Sequence, residues 1–292
     1  MPTITLADGR TLAYEEWGDP TGQVMFWLHG TPGGRLVRHS DPTLWGKLGL
    51  RVVTVDRPGY GGSTPLPGRR VSHVAADVAS VADHLGVDRF AVQGTSGGGP
   101  YALAVAALLG ERVLACVPVC SIAPVTPAEE ASMVAINRES FRVWREEGRD
   151  GIAKRLVDIR EQILANPLGS QLAQLADAPE IDREWLSRPQ VQQVYAEGLV
   201  DALRPGVDGW VDDASGFVPG ESWGFDLSSI VCPTHFWHSD DDVNAPLPAV
   251  KRLVSAIPGA RLTTWHDQGH TAPSRYAEQV LTDMIAAVAA AH

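Results

Sequence analysis

Continuous apolar runs alternate with helix-like segments along most of the chain. Runs such as Val24–Leu28 and Val52–Val55 contain almost no polar residues, which is typical of strands buried on both faces of a sheet. Between such runs, residues 71–85 repeat valine and alanine at helical spacing. Runs of the same strand-like kind occupy residues 89–93, 113–120, 234–238 and 260–265. This alternation predicts a mostly parallel sheet with helices on both faces.

The amino-terminal strands follow a different pattern, that of a hairpin. Residues 3–6 and 11–16 are extended runs that flank Ala7-Asp8-Gly9-Arg10, and Asp-Gly between two such runs is a strong hairpin signal. Together with the six apolar runs they predict an α/β fold with an eight-stranded sheet, in which the hairpin supplies antiparallel strands at one edge.

The segment from residue 123 to residue 229 differs in composition from its surroundings. It is richer in Glu, Arg and Gln, and proline and glycine separate its helical patches at 129–146, 151–165 and 189–203. No buried-strand pattern occurs in it. We interpret this segment as a helical cap, or lid, inserted into an α/β core made of residues 1–122 and 230–292.

Composition and charge narrow the classes of partner. The 292 residues are 44% hydrophobic and 20% charged, as in a globular protein, and the net charge is −11. No basic cluster offsets this charge, which disfavours binding to nucleic acid or to anionic membranes. No run has membrane-spanning length, and the first residues lack a charged leader followed by an apolar core. We therefore expect a cytoplasmic protein, a monomer or homodimer, whose partner is a small molecule.

The three cysteines do not suggest a disulfide framework or a zinc site. Cys116, Cys120 and Cys232 all lie in or beside apolar strand-like runs. This placement predicts small buried hydrophobic side chains.

The stretch AVQGTSGGGPYALA, residues 91–104, places Ser96 between a predicted strand and a predicted helix. Its turn reads Gly94-Thr95-Ser96-Gly97-Gly98, a GxSxG pattern. A serine at the tip of such a turn has strained backbone angles, and the tight approach leaves no room for Cβ atoms two residues away on either side. The pattern predicts a nucleophile, although a glycine-rich turn can also be merely tight or hold a phosphate. A dinucleotide site is disfavoured, because its glycine fingerprint normally follows the first strand of the unit.

Loops that follow the last two predicted strands carry the groups that a serine nucleophile needs. The last strand leads into His266-Asp267-Gln268-Gly269-His270, and the strand before it leads into Ser239-Asp240-Asp241-Asp242. Loops at the carboxyl ends of parallel strands converge at one edge of the sheet, so a base and an acid can meet the serine there. At this point two histidines and three aspartates remain candidates. The acidic run could also hold a hard cation, but it lacks further ligand spacing and we expect no metal.

Five motifs in order resemble those of the α/β-hydrolase superfamily, over nearly the whole chain apart from the predicted cap. They are HGTPGG at 29–34, DRPGYGGS at 56–63, GTSGG at 94–98, DDVNAP at 241–246 and GH at 269–270. The resemblance implies an α/β-hydrolase fold with Ser96 as nucleophile and His270, rather than His266, as general base. It implies Asp242 as the orienting acid, with Asp241 as the alternative because Ser239 replaces the glycine usual before this acid.

The same resemblance assigns the surrounding loops. It implies that the amides of Thr31 and Gly97 form the oxyanion hole. The supporting loop residues are His29, as a structural hydrogen-bond donor, with Gly30, Gly94 and Gly98. Asp56 and Ser63 are expected to hold the geometry of their loop.

The resemblance implies a carboxylic ester hydrolase that needs no cofactor and acts on a small acyl substrate. A serine nucleophile excludes the epoxide hydrolases and haloalkane dehalogenases of this architecture, which attack with aspartate. Aromatic residues of the predicted cap could line an apolar pocket, although they could equally bury the cap against the core. They are Phe141, Trp144, Trp185, Tyr195, Trp210, Phe217, Trp223 and Phe225.

Two alternative functions remain open. HGTPGG also resembles the HGGPGG of prolyl aminopeptidases, which hold a substrate ammonium with cap carboxylates. Glu129, Glu130, Glu146 and Glu147 are available for this role, although helical glutamates usually face solvent. The second alternative is a ligand-binding protein on a hydrolase scaffold.

Overall fold

The computed structural model describes residues 1–169, 178–218 and 220–290, and eight strands in these residues form one sheet. The strands are β1 (Thr3–Thr5), β2 (Thr11–Gly18), β3 (Gln23–Leu28), β4 (Leu50–Val55), β5 (Phe90–Thr95), β6 (Val113–Val119), β7 (His235–Ser239) and β8 (Arg261–Trp265). Their order is β1-β2-β4-β3-β5-β6-β7-β8. β2 pairs antiparallel with β1 and β4, and all other pairs are parallel. The predicted eight-stranded, mostly parallel sheet with its antiparallel hairpin is confirmed.

The described residues also form helices that pack around this sheet. They are α1 (Leu44–Lys47), α2 (His73–His84), α3 (Gly99–Leu109), α4 (Pro127–Ser132), α5 (Ala135–Ala165), α6 (Glu180–Leu186), α7 (Pro189–Leu203), α8 (Asp208–Gly216), α9 (Leu247–Ala256), α10 (Ala272–Arg275) and α11 (Ala277–Ala290). On one face, Val78 of α2 and Leu103 of α3 join a buried cluster with Phe26 of β3. On the other face, Trp45 of α1 and Leu281 of α11 are buried in a second cluster. In β4, for example, Val53 and Val55 belong to the first cluster, and Leu50 and Val52 belong to the second.

Helices α4 to α8 all lie between β6 and β7, where the sequence predicts the cap, and the described residues there contain no strand. We call residues 123–229 the helical segment. It has a third buried cluster of its own, which includes Val143, Leu156 and Trp210 and is joined by Tyr60 from the loop after β4. The segment therefore packs on the loops at the carboxyl edge of the sheet. That it acts as a separate cap domain stays a prediction.

One predicted helical patch is wrong in its extent. The patch at residues 129–146 is interrupted, because Met133 and Val134 are buried and extended between α4 and α5. The amide of Val134 donates to the carbonyl of Val243 at 2.9 Å, so a tertiary contact replaces the helical hydrogen bond. The predicted gap between 146 and 151 corresponds to a break inside α5, at Gly148 with φ +65°.

Within the described residues, no helix combines the length and the apolar character needed to cross a membrane. The three cysteines are free and buried, as the sequence predicts.

Candidate active site

Ser96 lies at the carboxyl end of β5, on a turn that glycine residues make possible. It has φ +54°, a left-handed conformation that is strained for serine, and a single 3₁₀ turn leads from it into α3. A Cβ atom added to Gly94 would lie 2.2 Å from the carbonyl oxygen of Gly98, and one added to Gly98 would lie 2.1 Å from the carbonyl oxygen of Leu28. Both positions therefore exclude a side chain, which is the steric reason for the GxSxG pattern.

His270 connects Ser96 to Asp242 through two hydrogen bonds. Its Nε2 lies 2.9 Å from Ser96 Oγ, and its Nδ1 lies 2.8 Å from Asp242 Oδ2. The other carboxylate oxygen of Asp242 accepts from the amides of Asn244 and Ala245, both at 2.9 Å. Because the Asp242 carboxylate can only accept, the neutral ring carries its proton on Nδ1 and presents the Nε2 lone pair to the serine hydroxyl.

The electrostatics of the pair favour a basic imidazole beside an ionised carboxylate. Burial alone would lower the pKa of His270, but the charge of Asp242 and its hydrogen bond raise that pKa above its ordinary value. Burial raises the pKa of Asp242, yet the pairing with His270 brings that pKa below its ordinary value. Asp242 is therefore charged at neutral pH and stabilises a proton on His270.

The other candidate acids and the other candidate base in these two loops make no hydrogen bond with Ser96 or His270. Asp240 Oδ2 lies 2.8 Å from Nδ1 of His266, whose side chain is 79% exposed. Asp241 is also exposed, and its amide donates to the carbonyl of Gln268. The structure thus brings Asp242 and His270 to Ser96 and leaves Asp240, Asp241 and His266 outside.

Among the residues that the structure describes, Asp240, Asp241 and Asp242 do not form a common cluster of ligand atoms. In the part of the chain that the structure describes, Cys120, Asp242 and His270 form a cluster of three metal-ligand atom types within 4.8 Å. Two of its members are already engaged in the hydrogen-bonded chain to Ser96. The cluster is thus accounted for by that chain.

Thr31 lies directly against the nucleophile turn. A Cβ atom added to Gly97 would lie 2.3 Å from Thr31 Oγ1, so the two predicted oxyanion residues are in contact. The ring of His29 supports this loop, with Nδ1 2.8 Å from the carbonyl oxygen of Gly30 and Nε2 accepting from the Arg57 amide at 3.3 Å. Burial lowers the pKa of His29 well below its ordinary value, so the ring is neutral and its Nδ1 donates to Gly30. His29 occupies the structural position that the resemblance implies.

With this geometry described, comparison with known proteins decides the family. The family model described as the alpha/beta hydrolase fold matches residues 23–273. The chain belongs to the α/β-hydrolase family.

Curated relatives of this α/β hydrolase carry several activities in their names. The chain is 27% identical to a non-heme haloperoxidase of Rhodococcus erythropolis, over 98% of each chain. It is 26% identical to a bifunctional esterase/perhydrolase of Acinetobacter calcoaceticus, over 98% of this chain and 99% of that one. A proline iminopeptidase of Xanthomonas citri is 38% identical over 112 residues, which are 36% of this chain and 34% of the relative.

A solved structure agrees with the fold. A thermophilic esterase from Thermogutta terrifontis superposes with a TM-score of 0.64 and 23% identity, over 100% of this chain and 98% of that one. At this identity the likeness concerns the fold alone.

A buried carboxylate of the helical segment, Asp213 of α8, reaches the loop that carries Thr31. Thr31 Oγ1 donates a hydrogen bond to Asp213 Oδ2. Arg57 Nη2 donates to Thr31 Oγ1 at 3.0 Å and forms an ion pair with Asp213. Asp213 therefore fixes the side chain of Thr31, and through it the loop whose amide is a predicted oxyanion donor.

Asp213 stays ionised although it is fully buried. Arg69 forms a second ion pair with it, and the hydroxyls of Tyr60 and Tyr101 donate to it at 3.0 and 2.6 Å. Burial raises the pKa of Asp213, but the two guanidinium groups outweigh this effect and hold the pKa well below its usual range. The sequence analysis missed this residue, because nothing local distinguishes Asp213 from other helical aspartates.

We expect the substitution Asp213→Asn to lower the free energy of unfolding by about 3–5 kcal/mol, because it leaves two buried guanidinium groups without their anion. Chemical denaturation at neutral pH measures this loss. The matched control is Asp212→Asn at the preceding position, where the carboxylate pairs with the half-buried Arg149 and accepts from the Gly68 amide; we expect a smaller loss, because water can solvate Arg149 and the asparagine oxygen can still accept from Gly68. Equal losses in the two variants would contradict this account of Asp213.

A second carboxylate of the helical segment, Asp182 of α6, holds the loop that carries His270. It accepts from the amides of His270 and Thr271, at 2.8 and 3.0 Å, and from the Thr271 hydroxyl at 2.5 Å. A Cβ atom added to Gly269 would lie 2.1 Å from Asp182 Oδ2, so the glycine before the histidine makes room for this contact. The sequence analysis also missed Asp182.

The loop after β4 is held together as the sequence predicts. Asp56 accepts from the Gly62 amide at 2.8 Å and pairs with Arg35. The hydroxyl of Ser63 donates to the carbonyl oxygen of Asp56 at 2.8 Å and accepts from the Ala13 amide at 3.0 Å. These contacts shape the loop and leave neither side chain directed at Ser96.

Two cavities meet at the Thr31 loop. The first, of about 270 Å³, lies under the helical segment and is lined mostly by apolar side chains. The second, of about 240 Å³, contains Ser96 and His270 in its wall. The two share the lining residues Thr31, Pro32, Tyr195 and Leu199. Ser96 thus lies in the wall of the second cavity, close to the point where it meets the apolar first cavity.

The predicted aromatic residues divide between these cavities and the packing of the segment. Five of them line the first cavity: Phe141, Trp144, Tyr195, Trp210 and Phe217. Trp223 and Phe225 instead stack on each other at 6.0 Å and pack against the main core. Trp185 packs beneath the guanidinium groups of Arg188 and Arg275.

The glutamates considered for an ammonium site do not line either cavity. Arg252 lowers the pKa of Glu129 to about 2 and pairs with it. Glu130 pairs with Arg145, and Glu146 pairs with Arg142. Among the residues that the structure describes, the linings of both cavities contain no Asp or Glu, so Glu147 is absent from them as well.

Proposed function

We propose that this α/β hydrolase is a serine hydrolase that cleaves small carboxylic esters. The observation that carries the proposal is the continuous hydrogen-bonded chain from Ser96 through His270 to Asp242, beside an apolar cavity of about 270 Å³. The esterase/perhydrolase name of a relative aligned along nearly its full length supports the same chemistry.

In the proposed reaction, Ser96 Oγ attacks the ester carbonyl carbon while His270 Nε2 takes the hydroxyl proton. The carbonyl oxygen becomes an oxyanion, which the amides of Thr31 and Gly97 stabilise by about a hundredfold or more in rate each. His270 then passes its proton to the leaving alkoxide, and an acyl-serine remains. A water molecule, deprotonated by His270, hydrolyses the acyl-serine and restores the free hydroxyl. Each of these steps uses only groups of the chain and water.

We also propose that the helical segment acts as the cap of the site. Its side chains form most of the wall of the apolar cavity, and Asp213 and Asp182 tie it to the loops of Thr31 and His270. The cap would thereby shape the acyl pocket and hold two of the reacting groups at once.

Aminopeptidase activity is the second candidate, because proline iminopeptidases align with about a third of this chain. Those enzymes would need a carboxylate to hold the substrate ammonium. The described cavity linings offer none, which favours the ester over the aminoacyl substrate. A ligand-binding protein without turnover is the third, and the hydrogen-bonded triad argues against it.

The test is a panel of p-nitrophenyl acetate, butyrate and octanoate beside prolyl β-naphthylamide. We expect hydrolysis of the esters, with kcat/KM rising from acetate to butyrate because each buried methylene contributes about 0.8 kcal/mol. The prolyl substrate should be at least about a hundredfold slower. Faster hydrolysis of the prolyl substrate would favour the aminopeptidase. Tight binding without any product would favour the ligand-binding protein.

A further inference from the structure

The second cavity extends from Ser96 along one face of the sheet to Gln93, on the same strand. Gln93 lies opposite Trp27 of β3 and Val117 of β6, in the middle of the sheet. The cavity walls around it are apolar and include Trp45 and Leu281. This inference rests on the proposed ester hydrolysis, since it concerns the substrate of the same site.

The amide of Gln93 is buried without a use in the fold. The residue is only 7% exposed, and its Oε1 atom has no hydrogen-bond partner among the described residues. An unpaired buried polar group costs about 1–3 kcal/mol, so an apolar side chain would be more stable here. Ala91, two residues earlier on the same strand, shows the apolar character that this face has elsewhere. Gln93 lines the cavity, and its enclosed Oε1 atom gains no hydrogen bond from the fold.

Several other polar side chains of this cavity are already paired. Thr95 Oγ1 accepts from the indole nitrogen of Trp27 at 3.0 Å. Nε2 of His39 lies 3.0 Å from the carbonyl oxygen of Ser274, and Arg38 forms an ion pair with Glu197. Gln93, whose amide oxygen has no partner in the fold, can therefore bind a polar atom of a guest molecule.

The position of His270 indicates which half of an ester enters this cavity. His270 lines the second cavity and is absent from the lining of the first. Because His270 must protonate the leaving alkoxide, the alcohol half has to lie on its side of Ser96. The acyl half then lies towards the apolar cavity under the helical segment.

We propose that the second cavity binds the alcohol half of the substrate and that Gln93 selects alcohols with a further hydroxyl group. A hydroxyl can accept from Nε2, and it can donate to Oε1 once the amide turns about its last side-chain bond. Ser96 lies three residue steps beyond Gln93 along the chain, a span of roughly 10 Å at the rise of a strand. The hydroxyl must therefore stand several carbons away from the ester oxygen.

The test compares esters in which a hydroxyl replaces a methyl group of the same size. The pairs are 4-hydroxybutyl against pentyl butyrate and 6-hydroxyhexyl against heptyl butyrate. For each pair, the ratio of kcat/KM for the hydroxyl ester to that for the methyl ester is measured. We expect Gln93→Leu to lower this ratio by about tenfold or more in at least one pair, with the methyl ester of each pair as the internal reference. Unchanged ratios in both pairs would overturn the proposal.

Two controls separate binding from structure. Gln23→Leu makes the same change on neighbouring β3, outside both cavities, and should leave every ratio unchanged. Gln93→Leu should keep or raise the melting temperature, because it removes an unpaired amide. A large fall in melting temperature would show that Gln93 serves the fold and would overturn the proposal.

A third pair tests the assignment of the two halves, with p-nitrophenyl 6-hydroxyhexanoate and heptanoate. If Gln93→Leu changes only this ratio, the cavity binds the acyl half and our assignment is wrong.

If the wild type hydrolyses no ester at all, the proposed function fails, and the cavity is tested through tryptophan fluorescence from Trp27 and Trp45. In that case Gln93→Leu should weaken the binding of 1,6-hexanediol severalfold more than that of 1-heptanol. Equal effects on both alcohols would overturn the proposal for Gln93.

Discussion

Replacing Ser96 by alanine is expected to lower kcat/KM for p-nitrophenyl butyrate by about four to six powers of ten, with little change in thermal unfolding. The hydroxyl of Ser96 is the atom that forms the bond to the substrate in the proposed reaction, and its hydrogen bond to His270 places it for attack. Without it, His270 can only activate water, which lacks the same fixed position. Ser96 is uncharged, so its replacement by alanine leaves no buried charge without a partner, and the fold should be unaffected.

The matched control for this experiment is Ser121→Ala. Ser121 is also buried, and its side chain packs against Gly99 at the start of α3, but its hydroxyl donates to the carbonyl oxygen of Ile122 instead of contacting His270. We expect its kcat/KM to stay within about fivefold of the wild type. Rapid-quench mass spectrometry of the wild type should find one butyryl group on the peptide that contains Ser96. A Ser96→Ala variant that retains more than a hundredth of the activity would rule out this nucleophile.

The second large effect is expected for Asp242→Asn, which should lower kcat by about ten thousandfold. The Asp242 carboxylate holds the proton on Nδ1 of His270 and stabilises the imidazolium that forms when Ser96 attacks. An asparagine amide carries no charge and can turn its NH₂ towards Nδ1, which favours the wrong tautomer. The chain offers two matched controls, Asp241→Asn and Asp240→Asn, and both should stay within about fivefold of the wild type because neither side chain contacts His270.

The pH profile distinguishes loss of this charge from general damage to the site. His270 must be neutral to accept the serine proton, so kcat/KM should rise with pH through the pKa of His270, which Asp242 raises above its ordinary value. In Asp242→Asn the pKa of His270 is no longer raised by a neighbouring charge, and the rise of kcat/KM should move to lower pH. In Asp241→Asn it should stay in place. A shift in Asp241→Asn with none in Asp242→Asn would show that the acid is Asp241.

Local sequence determined the sheet and the nucleophile turn. The apolar runs and the Asp-Gly hairpin predict all eight strands, because burial on both faces and turn chemistry are properties of a few consecutive residues. The GxSxG pattern is local in the sequence, and the clash at Gly94 with the carbonyl oxygen of Gly98 arises within one turn, whereas Gly98 is required by the approach of Leu28 from β3. The cytoplasmic location and the monomeric or dimeric state stay predictions.

Only the tertiary structure decided which residues of the candidate loops meet Ser96. The resemblance implies Asp242 with Asp241 as the alternative, and the direction of each side chain depends on how the loop packs against the loop of His270. The same holds for the helical patch that breaks at Met133 and Val134, where a contact with Val243 replaces the helical bond.

The residues that the sequence analysis missed share one property, which is that their partners lie far away in the chain. Asp213 meets Thr31 across 182 positions and Asp182 meets His270 across 88, and neither stands in a motif. Gln93 is a polar residue in a strand-like run, and its lack of a partner is visible only once the cavity around it is known. The chemistry of the nucleophile was therefore readable from consecutive residues. The side chains that position the nucleophile and line the substrate cavities could not be predicted in this way, because only folding brings them together.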